Sequence, residues 1–79
     1  MQHAARLKFF RNHLSQLQVA HAIGRVTGVQ GGRILVSGLN EVARIGDRAV
    51  VTRQNGSTLR AEVVQLTSSD AVLLRDAQV

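Results

Sequence analysis

The sequence predicts a mainly β protein: a small antiparallel barrel of five to six strands, preceded by an N-terminal amphipathic α-helix. Three observations carry this prediction. All seven glycines fall between Gly24 and Gly56, among runs rich in β-branched residues, as in short strands joined by tight turns. The stretch from Ala4 to Val19 contains no Gly or Pro and is dominated by helix formers. A chain of 79 residues holds at most one small domain.

The helix is expected first. In AARLKFFRNHLSQLQ, Leu7, Phe10, Leu14 and Leu17 step by 3, 4 and 3, which on a helix forms one narrow apolar stripe. Arg6 and Arg11 flank it, and Phe9 points about 120° away at ~100° per residue. A rod of this length, roughly 24 Å, is marginal alone in water and must dock to hold its shape. The stripe could cap the chain's own barrel, or the helix could fold only on meeting a partner's groove; on the partner reading, the contact residues expected are Arg6, Leu7, Phe9, Phe10, Arg11, Leu14 and Leu17. The domain division follows: an arm over residues 1–21 and a strand-built head over residues 22–79.

Five strands are expected in the head. The first covers about Ile23 to Val29, and Gly31-Gly32 turns the chain into the second, Arg33 to Ser37. A loop through Asn40 and Glu41 leads to the turn ARIGD and a third strand, Arg48 to Gln54. Asn55-Gly56 then gives a hairpin signal, because both residues tolerate positive φ. The fourth strand covers Ser57 to Thr67, with Leu59, Ala61 and Val63 on one side and Arg60 and Glu62 on the other. Val64 and Leu66 break that alternation, which predicts a bulge near Val63. After Ser68-Ser69-Asp70, the fifth strand covers Ala71 to Arg75. Five short strands at this spacing suit a small antiparallel barrel or sandwich.

Composition and spacing argue against several classes of chemistry. The chain has no Cys, hence no disulfide and no Cys-based zinc site; this fits a reducing, cytoplasmic setting. No apolar run approaches the ~20 residues of a membrane-spanning helix. Gly24, Gly28, Gly31 and Gly32 do not match a phosphate-binding or dinucleotide loop, since Lys8 is the only lysine and lies in the arm. His3, His13 and His21 sit far apart on the expected helix and have no acid near them in sequence, so no metal site is expected. Asp47, Glu62, Asp70 and Asp76 fall on turns or alternate with arginine, and no catalytic pair is expected. No cofactor-binding residue is expected in this chain.

The net charge of +5 is unevenly placed. Residues 1–40 carry Arg6, Lys8, Arg11, Arg25 and Arg33 and no acid, which invites an anionic partner. A small basic nucleic-acid-binding barrel is the alternative reading on that ground. Against it, both Phe residues lie in the arm and the chain has no Trp or Tyr, whereas single-strand binders stack bases on barrel aromatics. A peripheral membrane contact through the arm is a further candidate, since an apolar stripe with Lys and Arg is the recipe for an interfacial helix.

The segments GRVTGVQGGRILVSGL, ARIGDRAVV and LRAEVVQLTSSDAVLL, in that order, resemble the N-terminal domain of the type III protein-export ATPases. These serve flagellar assembly and injectisomes and are related to rotary ATPase catalytic subunits. The resemblance runs from about Ile23 to Asp76. It implies a small β-barrel at the rim of a hexameric ATPase ring, helping to hold subunits together. It also implies that the amphipathic N-terminal arm, residues 1–20, binds a stator-like regulatory protein of the export apparatus. The catalytic part of the family, with its phosphate loop, ATP and Mg, lies beyond the barrel. The chain alone is therefore expected not to hydrolyse ATP, and the parent to be cytoplasmic, peripheral at the inner-membrane export apparatus. The chain stops short of the family's last barrel strand, so how the barrel closes is left open, and an unpaired edge would invite dimers.

Overall fold

In the computed structural model, which describes residues 3–39 and 41–76, the front of the chain is a strand, β1 (His3–His13). Asn40, expected in a loop, and the outermost residues of the expected arm and head, Met1, Gln2 and 77–79, lie outside the described residues. The helix expected over the arm is absent among the described residues. The physical reason is a second period in the same letters. Ala5, Leu7 and Phe9 alternate with Arg6 and Lys8, and a strand sends the first set to one face and the second to the other. Phe9 is 0% and Leu7 2% exposed, while Arg6 and Lys8 face outward. A short helix had no surface that could bury the same residues so completely.

Five more strands follow: β2 (Gln16–Gln30), β3 (Arg33–Ser37), β4 (Arg48–Thr52), β5 (Thr58–Leu66) and β6 (Asp70–Arg75). All neighbours are antiparallel, and the order β1-β2-β3-β6-β5-β4 closes into a barrel. Closure comes from β1, which pairs β2 along its length and β4 over Arg6–Phe10. The division expected at residues 21 and 22 thus falls inside β2, and part of the expected arm is barrel wall. The remaining strands lie close to their expected bounds. The bulge expected near Val63 is present as a register shift between Val63 and Gln65 opposite β6. A second shift, between Val26 and Gly28, bends β2 against β3.

The core fills the barrel. Phe9, Val36, Leu39, Val51, Val63 and Leu73 are its largest fully buried side chains. One end is plugged by Leu39, Ala43 and Asp47, which are buried there. Val42 and Ala43 both donate backbone hydrogen bonds to the Leu39 carbonyl, at 2.9 and 2.8 Å, which folds Leu39 and Ala43 inward. The other end opens into a cleft of about 460 Å³ between Ala5, Val26, Ile34, Val51 and Leu59, with Arg53 and Arg75 in its lining.

Two hairpin turns differ from the sequence expectation. At Asn55-Gly56 only Gly56 has positive φ, 87°. The Arg53 N–H donates to the Ser57 carbonyl at 2.8 Å, so the loop has three residues, with Gly56 in the left-handed position that closes such a bulged turn. The β1–β2 turn is Leu14-Ser15, with φ of 51° and 64°. A two-residue hairpin of this hand needs positive φ at both positions and normally uses Asn-Gly. Leu and Ser adopt it at a cost of ~1–2 kcal/mol each, repaid by the long β1–β2 ladder.

Two stability outcomes follow. Replacing Leu14-Ser15 with Asn-Gly should raise the unfolding free energy by about 1–2 kcal/mol, read by urea denaturation. Gly24→Ala should lower it by about 1–3 kcal/mol, because a Cβ there would meet Val36 Cγ1 at 2.5 Å and the Ser37 carbonyl oxygen at 2.9 Å.

Candidate interaction surface

The sequence-predicted contact residues separate into three groups. Leu7 and Phe9 are sealed in the barrel. Arg11 turns toward the plugged end and binds Asp47. Arg6, Phe10, Leu14 and Leu17 remain on the outside of the β1–β2 hairpin, with Phe10 half-buried. The helical stripe is therefore not a physical surface. The hairpin presents a different one.

Arg11 fixes the base of the hairpin. Its Nε donates to Asp47 Oδ1 at 3.0 Å, and its Nη2 donates to Asp47 Oδ2 at 2.6 Å and to the Val42 carbonyl at 2.7 Å. Asp47 also accepts from the Arg44 backbone N–H at 3.0 Å. Asp47 is 3% exposed, and this bidentate guanidinium satisfies both of its buried oxygens. The ion pair thus locks β1 to the plug. Outside it, Arg48 pairs with Glu62 across β4 and β5 at 3.4 Å and also with Asp76. Both contacts are solvated and hold little energy.

Beyond Arg11 the hairpin projects from the barrel. β4 pairs β1 only as far as Phe10, opposite Arg48, and β3 pairs β2 only from Arg25 onward. Residues 16–23 of β2 therefore have β1 on one side and no strand on the other among the described residues. Along this stretch Leu17, Val19, His21 and Ile23 all face outward. Leu17 is 63% and Ile23 71% exposed, and Leu14 at the tip is 85% exposed. Their cross-strand neighbours on β1 are Asn12, Phe10, Lys8 and Arg6. The outer face is thus an apolar row on β2 beside a row on β1 that turns from aromatic to basic.

Val19, His21 and Ile23 were missed by reading the arm as a helix that ended near Val19. The signal was present in the letters: residues 12–24, NHLSQLQVAHAIG, carry no Lys, Arg, Asp or Glu. The side chains of His3 and His13 lie outside the described part. Among the described residues no cluster of His, Asp or Glu is placed to hold a metal, and no helix is long and apolar enough to cross a membrane. No family model, curated protein or solved structure matches the chain.

The Arg11–Asp47 pair generates a direct test. Arg11→Ala should cost about 3–5 kcal/mol, because it leaves Asp47 buried without its countercharge. The Arg11→Ala/Asp47→Ala double variant should cost clearly less than the sum of the two singles, measured as a double-mutant cycle of chemical denaturation.

Proposed function

We propose that this chain is a binding and assembly module, of the kind found at the N-terminus of type III protein-export ATPases, and that a partner protein grips its projecting hairpin. The observation that carries this reading is the exposed apolar set Leu14, Leu17, Val19 and Ile23, which runs along the outer face of the β1–β2 hairpin from its projecting tip to the barrel wall. Isolated apolar residues on a surface are ordinary; a contiguous row on a projecting element marks an interaction site. The resemblance of residues 23–76 supports the parent class, and a small antiparallel barrel is the fold which that resemblance implied.

On this reading the partner is a stator-like regulator of the export apparatus, and the barrel contributes to a ring of like subunits in the parent, where ATP and Mg belong. The binding element is a strand hairpin in place of the expected helix. Phe10, Leu14 and Leu17 stay in the contact set. Leu7 and Phe9 leave it, and Val19 and Ile23 join it. Burial of Leu14, Leu17 and Phe10 could supply roughly 1.5–3 kcal/mol per side chain before ordering and association costs. Arg6 and Lys8 beside the row would steer an acidic face toward it.

The test uses the purified regulator and calorimetry. Leu14→Ala and Leu17→Ala should weaken binding at least about tenfold, ~1.4 kcal/mol, with the thermal midpoint unchanged or raised. Phe9→Ala should instead destabilise the barrel itself by about 3–5 kcal/mol. Unchanged regulator affinity in the Leu variants would refute the hairpin as the contact. Tight RNA or DNA binding that weakens steeply with salt would favour the basic-barrel alternative.

A further inference from the structure

We infer that the open edge of β2 is completed by the same edge of a second copy of this chain, the two strands running antiparallel over residues 16–22. This rests on the reading of the hairpin as an assembly element and names the partner of its backbone edge.

The argument begins with the turn. His13 and Gln16 flank the two-residue loop and form the closing pair of the hairpin. In a two-residue hairpin that pair exchanges both hydrogen bonds, and bonded pairs then alternate along the ladder. The even residues of β2 bond β1 in this pattern. Leu17, Val19, His21 and Ile23 therefore direct their N–H and C=O groups toward the opposite side. The next odd residue, Arg25, is where β2 begins to pair with β3, opposite Ser37. Before Arg25, no backbone hydrogen bond outside the β1 ladder reaches residues 16–23 from another described residue. Leu17, Val19 and His21 thus offer free peptide groups at the edge and exposed side chains on the outer face, while the Ile23 carbonyl lies beside Gly38, where the chain leaves β3.

Free strand edges are normally guarded against pairing by a lysine or other charge, a proline, or a bulge. Here none of these guards is present. Residues 16–24 contain no Lys, Arg, Asp, Glu or Pro, and the register with β1 is unbroken. Lys8 and Arg6 lie on the neighbouring strand, one strand width from the edge. An edge of this kind is a template for another strand.

The choice of a second copy follows from the sequence of the edge itself. A two-fold axis at Val19 places Leu17 opposite His21 of the other copy in both directions, and Val19 opposite its own counterpart. None of these outward side chains meets a Lys, Arg, Asp or Glu, and the stretch not already flanked by Gly38 is covered. Any like charges, Arg6 and Lys8 of the two copies, stay on the outer strands of the resulting four-stranded ribbon, separated by both β2 strands. The apolar rows of the two copies then lie side by side and form one continuous face. A two-fold contact of one patch with itself is the commonest closed assembly.

The full chain is examined by light scattering after size exclusion at micromolar to submillimolar concentration, with amide hydrogen exchange on the same samples. The expected result is a dimer in which the Leu17, Val19 and His21 amides exchange slowly, and faster on dilution. Val19→Pro removes one edge donor without touching the β1 ladder, and Val19→Lys adds a guarding charge. Both should be monomeric with the barrel intact by thermal unfolding. If the proline variant fails to fold, the lysine variant carries the test. A wild-type monomer at all concentrations overturns the inference. So does a dimer that survives both substitutions with these amides unprotected. Regulator binding measured on the same variants separates the two ideas. A monomeric wild type that still binds regulator overturns the pairing alone, while a chain that neither pairs nor binds overturns both.

Discussion

The structure depends on β1 being bonded on both of its edges. Without it the remaining strands, in the order β2-β3-β6-β5-β4, form an open sheet with two unpaired margins. With it, the margins of β2 and β4 are joined and Leu7 and Phe9 fill the space between them. A chain this small gains its stability from nearly complete burial of few side chains. Phe9 is one of the two phenylalanines, and it occupies the centre of that space. The Arg11–Asp47 pair then ties the upper part of β1 to the plug, so that strand pairing, core filling and end closure converge on one segment.

That arrangement has a geometric consequence. β1 and β2 are longer than the strands that flank them in the barrel. The wall takes in β1 up to Phe10 and β2 from Ala20, whose side chain packs on the core with that of Ala22, and the tip of the hairpin projects. What projects carries no Lys, Arg, Asp or Glu, and its outward row includes Leu14, Leu17 and Val19. Exposed apolar side chains of this kind gain nothing from water, and the strand edge beside them has no strand partner among the described residues. The plugged end and the closed wall are satisfied; the hairpin is where the chain still has something to offer another polypeptide.

Four of the six strands could be read from the sequence with near-correct bounds, because Gly31-Gly32, the ARIGD turn and Ser68-Ser69-Asp70 punctuate them. The bulge near Val63 was legible because Val64 and Leu66 interrupt a clear alternation. The arm was misread for a specific reason. Leu7, Phe10, Leu14 and Leu17 satisfy a helical period, while Ala5, Leu7 and Phe9 satisfy a strand period, and both use Leu7. Local preference favours the helix; only the tertiary gain of closing a barrel favours the strand. The turn could not arbitrate, since Leu14-Ser15 lacks the Asn or Gly that announces a tight hairpin. The candidate site was half legible for the same reason. Leu14 and Leu17 are exposed under either reading, whereas Val19, His21 and Ile23 line up only once β2 is recognised as a strand.

Nuclear Overhauser contacts between β1 and β4 test the central claim most directly. In the barrel, Leu7 lies opposite Val51 and Phe9 opposite Ala49. The alternation of the ladder makes these the close, non-hydrogen-bonded pairs, whose Cα atoms stand only ~4.5 Å apart. Strong contacts between the Hα protons of Leu7 and Val51, and of Phe9 and Ala49, are the predicted result. Their absence, together with sequential helical contacts from Leu7 to Phe10, would contradict a barrel closed by the front of the chain.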